Sequence, residues 1–264
     1  MDKIKVMSVF GTRPEAIKMA PLVKALDKEP KTESIVCVTA QHREMLDQVL
    51  EDFKIVPDYD LNIMKAGQTL EDITVRALTG IGEVIREVKP DIVLVHGDTS
   101  TTFAASLASY YNQTKVGHVE AGLRTYDKYQ PFPEEMNRRL TGAIADLHFS
   151  PTKMAKENLL KENIDENGIF ITGNTAIDAL KTTIDDSYVF TVDELNKIDF
   201  KNKRVITITA HRRENLGEPL KNICRAFRRI ADDYEDVEMV YAVHKNPAVS
   251  NTVHEILGGH ERIH

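Results

Sequence analysis

Four polar residues stand where short apolar runs give way to helix-like stretches, and together they could move protons beside an anion. Residues 3–10 run into Gly11-Thr12-Arg13, residues 91–96 into Gly97-Asp98-Thr99, and residues 115–119 into Glu120-Ala121-Gly122. Residues 204–209 run into Ala210-His211-Arg212-Arg213-Glu214. Ligands of open parallel sheets lie beyond the carboxyl ends of the strands. Ends of one polarity would therefore deliver Arg13, Asp98, Glu120 and His211 to one edge. Carboxylates and imidazoles are common proton carriers, and a guanidinium forks onto phosphate or carboxylate oxygens. Thr12 and Glu15 fit a capping box, and Pro14 suits a first helical turn. The free N–H groups and positive dipole end of such a helix attract an anion. Lys18, about one turn further in, adds a point charge. A capped helix with solvated charges reads equally from the same residues.

Other positions carry weaker signals. Asp98 is also of the type favoured as a helix cap. His118 and Glu120, two residues apart, would share one face of a strand. Their His-x-Glu pattern occurs in zinc deaminases, but the companion Pro-Cys-x-x-Cys is missing. In Pro131-Phe132-Pro133-Glu134-Glu135 a helix starts behind prolines. Both glutamates suit its dipole, and one of them could also reach the site. His244, after the run 237–243, is a fifth candidate, whereas His148 between Leu147 and Phe149 reads as structural. Pro21 removes a backbone bond to Ile17 and predicts a kink. Neither a GxGxxG fingerprint nor a Walker-type phosphate loop is present, so NAD and ATP hydrolysis have no support.

These positions need a scaffold of parallel strands. Strand-like runs at 3–10, 34–39, 91–96, 115–119, 147–149, 168–172, 204–209 and 237–243 alternate with helix-like stretches. The latter include 44–53, 70–88, 99–111, 133–145 and 153–161. This alternation predicts an α/β class, with doubly wound, Rossmann-like sheets covered by helices on both faces. Ile92-Val93-Leu94-Val95 is continuously apolar, as a strand buried on both faces requires. The first strand series ends near Thr172-Gly173-Asn174, which divides the chain into domains 1–172 and 173–264. The second series has two complete strands, and Glu261-Arg262-Ile263-His264 looks like the start of a third. It reads as incomplete against the roughly five or six strands of a doubly wound domain.

The 264 residues are 42% hydrophobic, enough for a real core. A net charge of -7 argues against nucleic acid or an anionic membrane as partner. No apolar run approaches the roughly 20 residues of a membrane helix, and the N-terminus does not read as a signal peptide. Cys37 and Cys224 are isolated. They suit a reducing cytoplasm and offer no disulfide or zinc framework. No metal or redox cofactor is indicated.

Seven stretches in order are FGTRPEAIKMAPL, TAQHREMLDQVL, VHGDTSTT, GHVEAGLRT, PEEMNRR, FITGNTAIDAL and HRREN. Together they resemble the non-hydrolysing bacterial UDP-N-acetylglucosamine 2-epimerases, from residue 4 to the C-terminus. The resemblance implies the two-domain GT-B fold, with the active site in the cleft. It also implies interconversion of UDP-GlcNAc and UDP-ManNAc for surface polysaccharides, in a cytoplasmic homodimer. In that chemistry UDP leaves to give 2-acetamidoglucal, then adds back after a proton reaches the other face of C2. By motif position, Asp98, Glu120 and Glu134 are the family's catalytic carboxylates. Arg13, Lys18 and His211 match positions that bind the nucleotide-sugar or support catalysis, with His211 assigned to the diphosphate.

Gln41, His42 and Gln68 match parts of a second, allosteric UDP-GlcNAc site in regulated members. Some of those members have glutamine in place of Glu44 and arginine in place of Gly67. The family's Ser-Gly-Gly…Glu segment, which contacts uridine and diphosphate, is absent here. A chain ending at His264 is therefore expected to be weakly active or inactive, and poorly soluble. The alternatives are the hydrolysing relative that releases ManNAc and UDP, a GT-B glycosyltransferase, and a sugar-nucleotide-binding fragment without turnover.

Overall fold

Val6 and Phe10 are buried on one side of the first strand, and Met7 and Val9 on the other, so this strand lies inside a sheet with two covered faces. The computed structural model describes residues 3–40, 43–65, 67–185, 187–212 and 215–264. Seven strands form one sheet: β1 (Ile4–Phe10), β2 (Thr32–Val38), β3 (Tyr59–Asp60), β4 (Ile92–His96), β5 (Lys115–Val119), β6 (Leu147–Ser150) and β7 (Ile169–Ile171). All pairings are parallel, in the order β3-β2-β1-β4-β5-β6-β7. Val9 of β1 lies opposite Cys37 on one side and Val95 on the other.

Helices cover both faces. Met19 and Val23 of α1 (Arg13–Lys28) and Leu46 and Leu50 of α2 (Arg43–Asp52) pack against Val6, Phe10, Val36 and Leu94. On the opposite face, Ile73 and Ile81 of α3 (Leu70–Val88) and Ala104 and Ala108 of α4 (Ser100–Tyr111) meet Met7, Val9, Cys37 and Val93. Each such fully buried large aliphatic side chain contributes on the order of 1.5–3 kcal/mol. The helix α1 continues through Pro21, so the lost bond to Ile17 does not end it. The remaining helices of this part are α5 (Glu134–Ile144), α6 (Lys153–Lys161) and α7 (Thr175–Thr183).

The chain divides into two compact units, Met1–Ile184 and Asp185–His264. This boundary falls later than the 172/173 division expected from sequence. The reason is α7, whose Ala179 joins the core cluster of α1 and so ties residues 175–183 to the first unit. The second unit holds α8 (Asp193–Asn196), β8 (Arg204–Ile208), α9 (Glu218–Asp233), β9 (Val237–Tyr241) and α10 (Pro247–Leu257). Strands β8 and β9 are parallel, and Leu220, Cys224, Met239 and Val253 form their own core. Ile263 bridges Met239 in parallel, and the Tyr241 N–H donates to the His264 carbonyl at 2.9 Å, as a third strand would begin. No helix among the described residues is long and apolar enough to cross a membrane.

Candidate active site

Strand order reverses direction between β1 and β4, so the turns leaving their carboxyl ends part and open a crevice. Glu15 joins the two turns. Its carboxylate accepts from the N–H groups of Gly11 (3.1 Å) and Thr12 (2.8 Å) in the first turn. In the second it accepts from the hydroxyls of Thr99 (2.7 Å) and Thr102 (3.1 Å). The bond from the Thr12 N–H to Glu15 is the capping box expected from sequence, and Glu15 takes N–H groups that precede the helix, not that of Arg13, the first residue of α1. Burial raises the Glu15 pKa above 4.5, with the hydrogen bonds from Thr99, Thr12 and Gly11 pulling the other way.

Asp98 follows Gly97, which turns the chain at φ +70°. Its carboxylate accepts from Arg138, and its carbonyl accepts from Asn137 Nδ2 at 3.0 Å. His118 supports this turn from β5. Its Nε2 lies 2.7 Å from the Gly97 carbonyl and must donate, since a carbonyl only accepts. Glu120 does not share a strand face with His118. It lies past the end of β5, at φ +64°, in the left-handed region. Its Oε2 accepts from Lys18 Nζ at 2.5 Å and from Asn174 Nδ2 at 3.1 Å.

The glutamates that open α5 separate in role. Glu135 is fully buried and accepts from the N–H groups of Thr125 and Tyr126, each at 3.1 Å, which anchors the preceding loop. Glu134 instead lines a pocket with Thr12, Asp98, Thr99, Ser100 and Asn137. Its Oε2 is buried with no hydrogen-bond partner among the described residues.

Asp98 and Glu134 thus share one pocket, and Glu120 pairs with Lys18 beside it, with Oε1 3.7 Å from where a Cβ on Gly97 would stand. Arg13 is exposed and lines a separate hollow with Gln48, Asp52, Phe53 and Leu180. His211 belongs to the second unit, where its ring stacks on that of His244 with centroids 5.0 Å apart. Gln68 Oε1 accepts from Arg76 and from the Lys65 N–H, both at 3.2 Å. Gln41 and His42 lie outside the described residues, as do Arg213 and Glu214 of the HRREN stretch. Sequence reasoning passed over Arg138, Asn174 and His96. The last is buried, with Nε2 unpartnered among the described residues and 3.8 Å from Glu120 Oε2. Their signal was their place beside strand ends and in the quoted stretches, but nothing local told them from capping or core residues.

Burial pushes His96 down to about 4, with Glu120 opposing the shift and Lys18 adding to it. Burial also pushes His118 down to about 3 and lowers His148. His96 therefore faces Glu120 as a neutral ring. Below about 6.5 the unfolded chain binds protons at these positions that the folded chain does not, so stability is lost as pH falls toward 4. Glu15 acts with opposite sign, since its raised value makes ionisation costly as pH climbs past 4.5. With three histidines against one carboxylate, the thermal midpoint is expected to drop between about pH 6.5 and about pH 5. A flat or rising midpoint over that interval would contradict the neutral, buried histidines.

A doubly wound α/β unit with carboxylates at its switch point, followed by a second parallel α/β unit, defines a Rossmann-like protein of the GT-B class. The sequence profile of the UDP-N-acetylglucosamine 2-epimerases matches residues 24–264. The chain is 61% identical over 265 residues to the Bacillus subtilis UDP-N-acetylglucosamine 2-epimerase, covering 100% of this chain and 68% of that protein. The S. aureus MnaA-UDP co-structure is 56% identical, with a TM-score of 0.82 over 98% of this chain and 68% of that one. The UDP-GlcNAc 2-epimerase from Neisseria meningitidis bound to UDP-GlcNAc is 49% identical, with a TM-score of 0.83 over 99% and 71%. The chain belongs to the UDP-N-acetylglucosamine 2-epimerase family.

Proposed function

We propose that this protein interconverts UDP-GlcNAc and UDP-ManNAc by elimination and re-addition of UDP, without hydrolysis. The observation that supports the reading is a pair of carboxylates, Asp98 and Glu134, in one pocket at the switch point, with the Lys18–Glu120 pair beside the Gly97 turn that leads into Asp98. A carboxylate removes the C2 proton, the C2–H electron pair becomes the C1=C2 bond, and the C1–O bond breaks with its electrons leaving on UDP. The UDP oxygen then adds back to C1 while C2 takes a proton on its other face. Atoms and charge balance without an oxidant, reductant or water.

Two faces of C2 call for proton carriers on two sides. Glu120 serves one side, and the pocket shared by Asp98 and Glu134 serves the other. Lys18 offsets the charge of Glu120. By match to the family's motifs, Lys18 binds the nucleotide-sugar beside Glu120, Arg13 binds it from the hollow that borders the start of the same helix, and His211 supports the diphosphate. The same resemblance supports a cytoplasmic homodimer supplying ManNAc units for surface polysaccharide.

Incubation with UDP-GlcNAc in D2O, followed by NMR at C2, tests this. The expected result is loss of the C2 proton signal with appearance of UDP-ManNAc. Free ManNAc and UDP would assign the hydrolysing reaction instead. Binding without exchange would leave a sugar-nucleotide-binding protein.

A further inference from the structure

We infer that Asn174 is a positioning residue for Glu120, fixing the Oε2 atom so that Oε1 is presented to the substrate. The inference rests on the catalytic role proposed for Glu120. Asn174 follows β7 and caps α7, its Oδ1 accepting from the Ala176 N–H at 2.9 Å. The same side chain turns its Nδ2 to Glu120 Oε2 at 3.1 Å. One planar amide thus holds the start of a helix and a carboxylate at once.

Glu120 needs such a hold because it lies beyond the last ladder residue of β5, on left-handed backbone. Lys18 reaches the same oxygen from α1. An ammonium is a rotatable point charge that attracts a carboxylate without fixing its plane. The amide adds a directed bond. Since α1 and α7 pack on each other, both donors stand on one rigid pair of helices and converge on Oε2. Oε1 accepts no hydrogen bond from any described residue and is the oxygen left for chemistry.

Asn174→Ser and Asn174→Asp separate the two duties. Serine and aspartate cap helices about as well as asparagine, but neither supplies the Nδ2 donor. In the wild-type background kcat for C2 exchange is expected to fall about 10- to 100-fold in both, the range of a hydrogen bond to a charged group. The aspartate should lose more, because its charge faces Glu120. KM and the thermal midpoint should stay close to wild type. Unchanged kcat in both variants overturns the inference. A midpoint that falls in step with kcat overturns it too, since Asn174 would then only cap α7.

Absence of C2 exchange in the wild type would count against the proposed function and not against this contact. The contact is read separately by NMR of the Asn174 side-chain amide, assigned by its loss in Asn174→Ser. Glu120→Ala, which removes the acceptor, is expected to move those resonances, and unmoved resonances overturn the hold whatever the activity.

Discussion

Glu120→Gln is expected to lower the rate of C2 proton exchange by about 10²–10⁴-fold, the loss that follows removal of a positioned proton carrier. Glutamine keeps the size and shape of the side chain and can still accept from Lys18 and Asn174 through its carbonyl oxygen. What it cannot do is take and return a proton at the position of Oε1. It also leaves the Lys18 ammonium, now 2.5 Å from Glu120 Oε2, without its counter-charge. With Lys18 one-quarter exposed and Glu120 about half as much, the pair is largely buried, so a loss of stability accompanies the substitution and the thermal midpoint is read beside the rate. The measurement is single-turnover exchange in D2O beside UDP binding by calorimetry. Exchange within tenfold of wild type would remove Glu120 from the chemistry, and lost UDP binding with intact exchange would make it a binding residue.

Gly122→Ala should destabilise the first unit by about 3 kcal/mol or more, from two separate costs. Gly122 lies at φ +89°, where a residue with a Cβ is strained. That Cβ would also sit 2.2 Å from the Ala155 carbonyl oxygen, a backbone atom of α6 that moves only if the helix moves. Such a shift would disturb the bond from Asn158 Nδ2 to the Gly122 carbonyl, now 3.0 Å. A drop in the melting midpoint of about 6–12 °C is expected for a unit of this size. A midpoint within about 2 °C of wild type would show that α6 yields freely and that the close approach is not under constraint.

Much of the scaffold was readable because its causes are local. Residues 115–119, 70–88 and 153–161 form elements with the expected bounds. Their apolar spacing and flanking turn or cap residues act within a few positions of one another. The continuous run Val93-Leu94-Val95 is buried on both sides, as its lack of alternation required. By contrast, the two-residue β3 had no period to read, and is defined only by its pairing with Cys37 and Val38.

The site divides along the same line. Residue type and place at a strand end were enough to single out Asp98 and Glu120, since a parallel sheet puts every such end on one side. Local order did not distinguish Glu134 from Glu135. The motif match named Glu134, and the packed structure gives the physical difference, with Glu135 holding the N–H groups of Thr125 and Tyr126 and Glu134 left to the pocket. Nor could local order show that Glu15 would reach across to Thr99 and Thr102, or that Arg13 would face a different hollow. The bonds from Lys18 and Asn174 to Glu120 span 102 and 54 residues. Hydrogen-bond period and burial of a face are set by neighbours in the chain, whereas contacts at such separations exist only once strand order and helix packing have brought distant turns together.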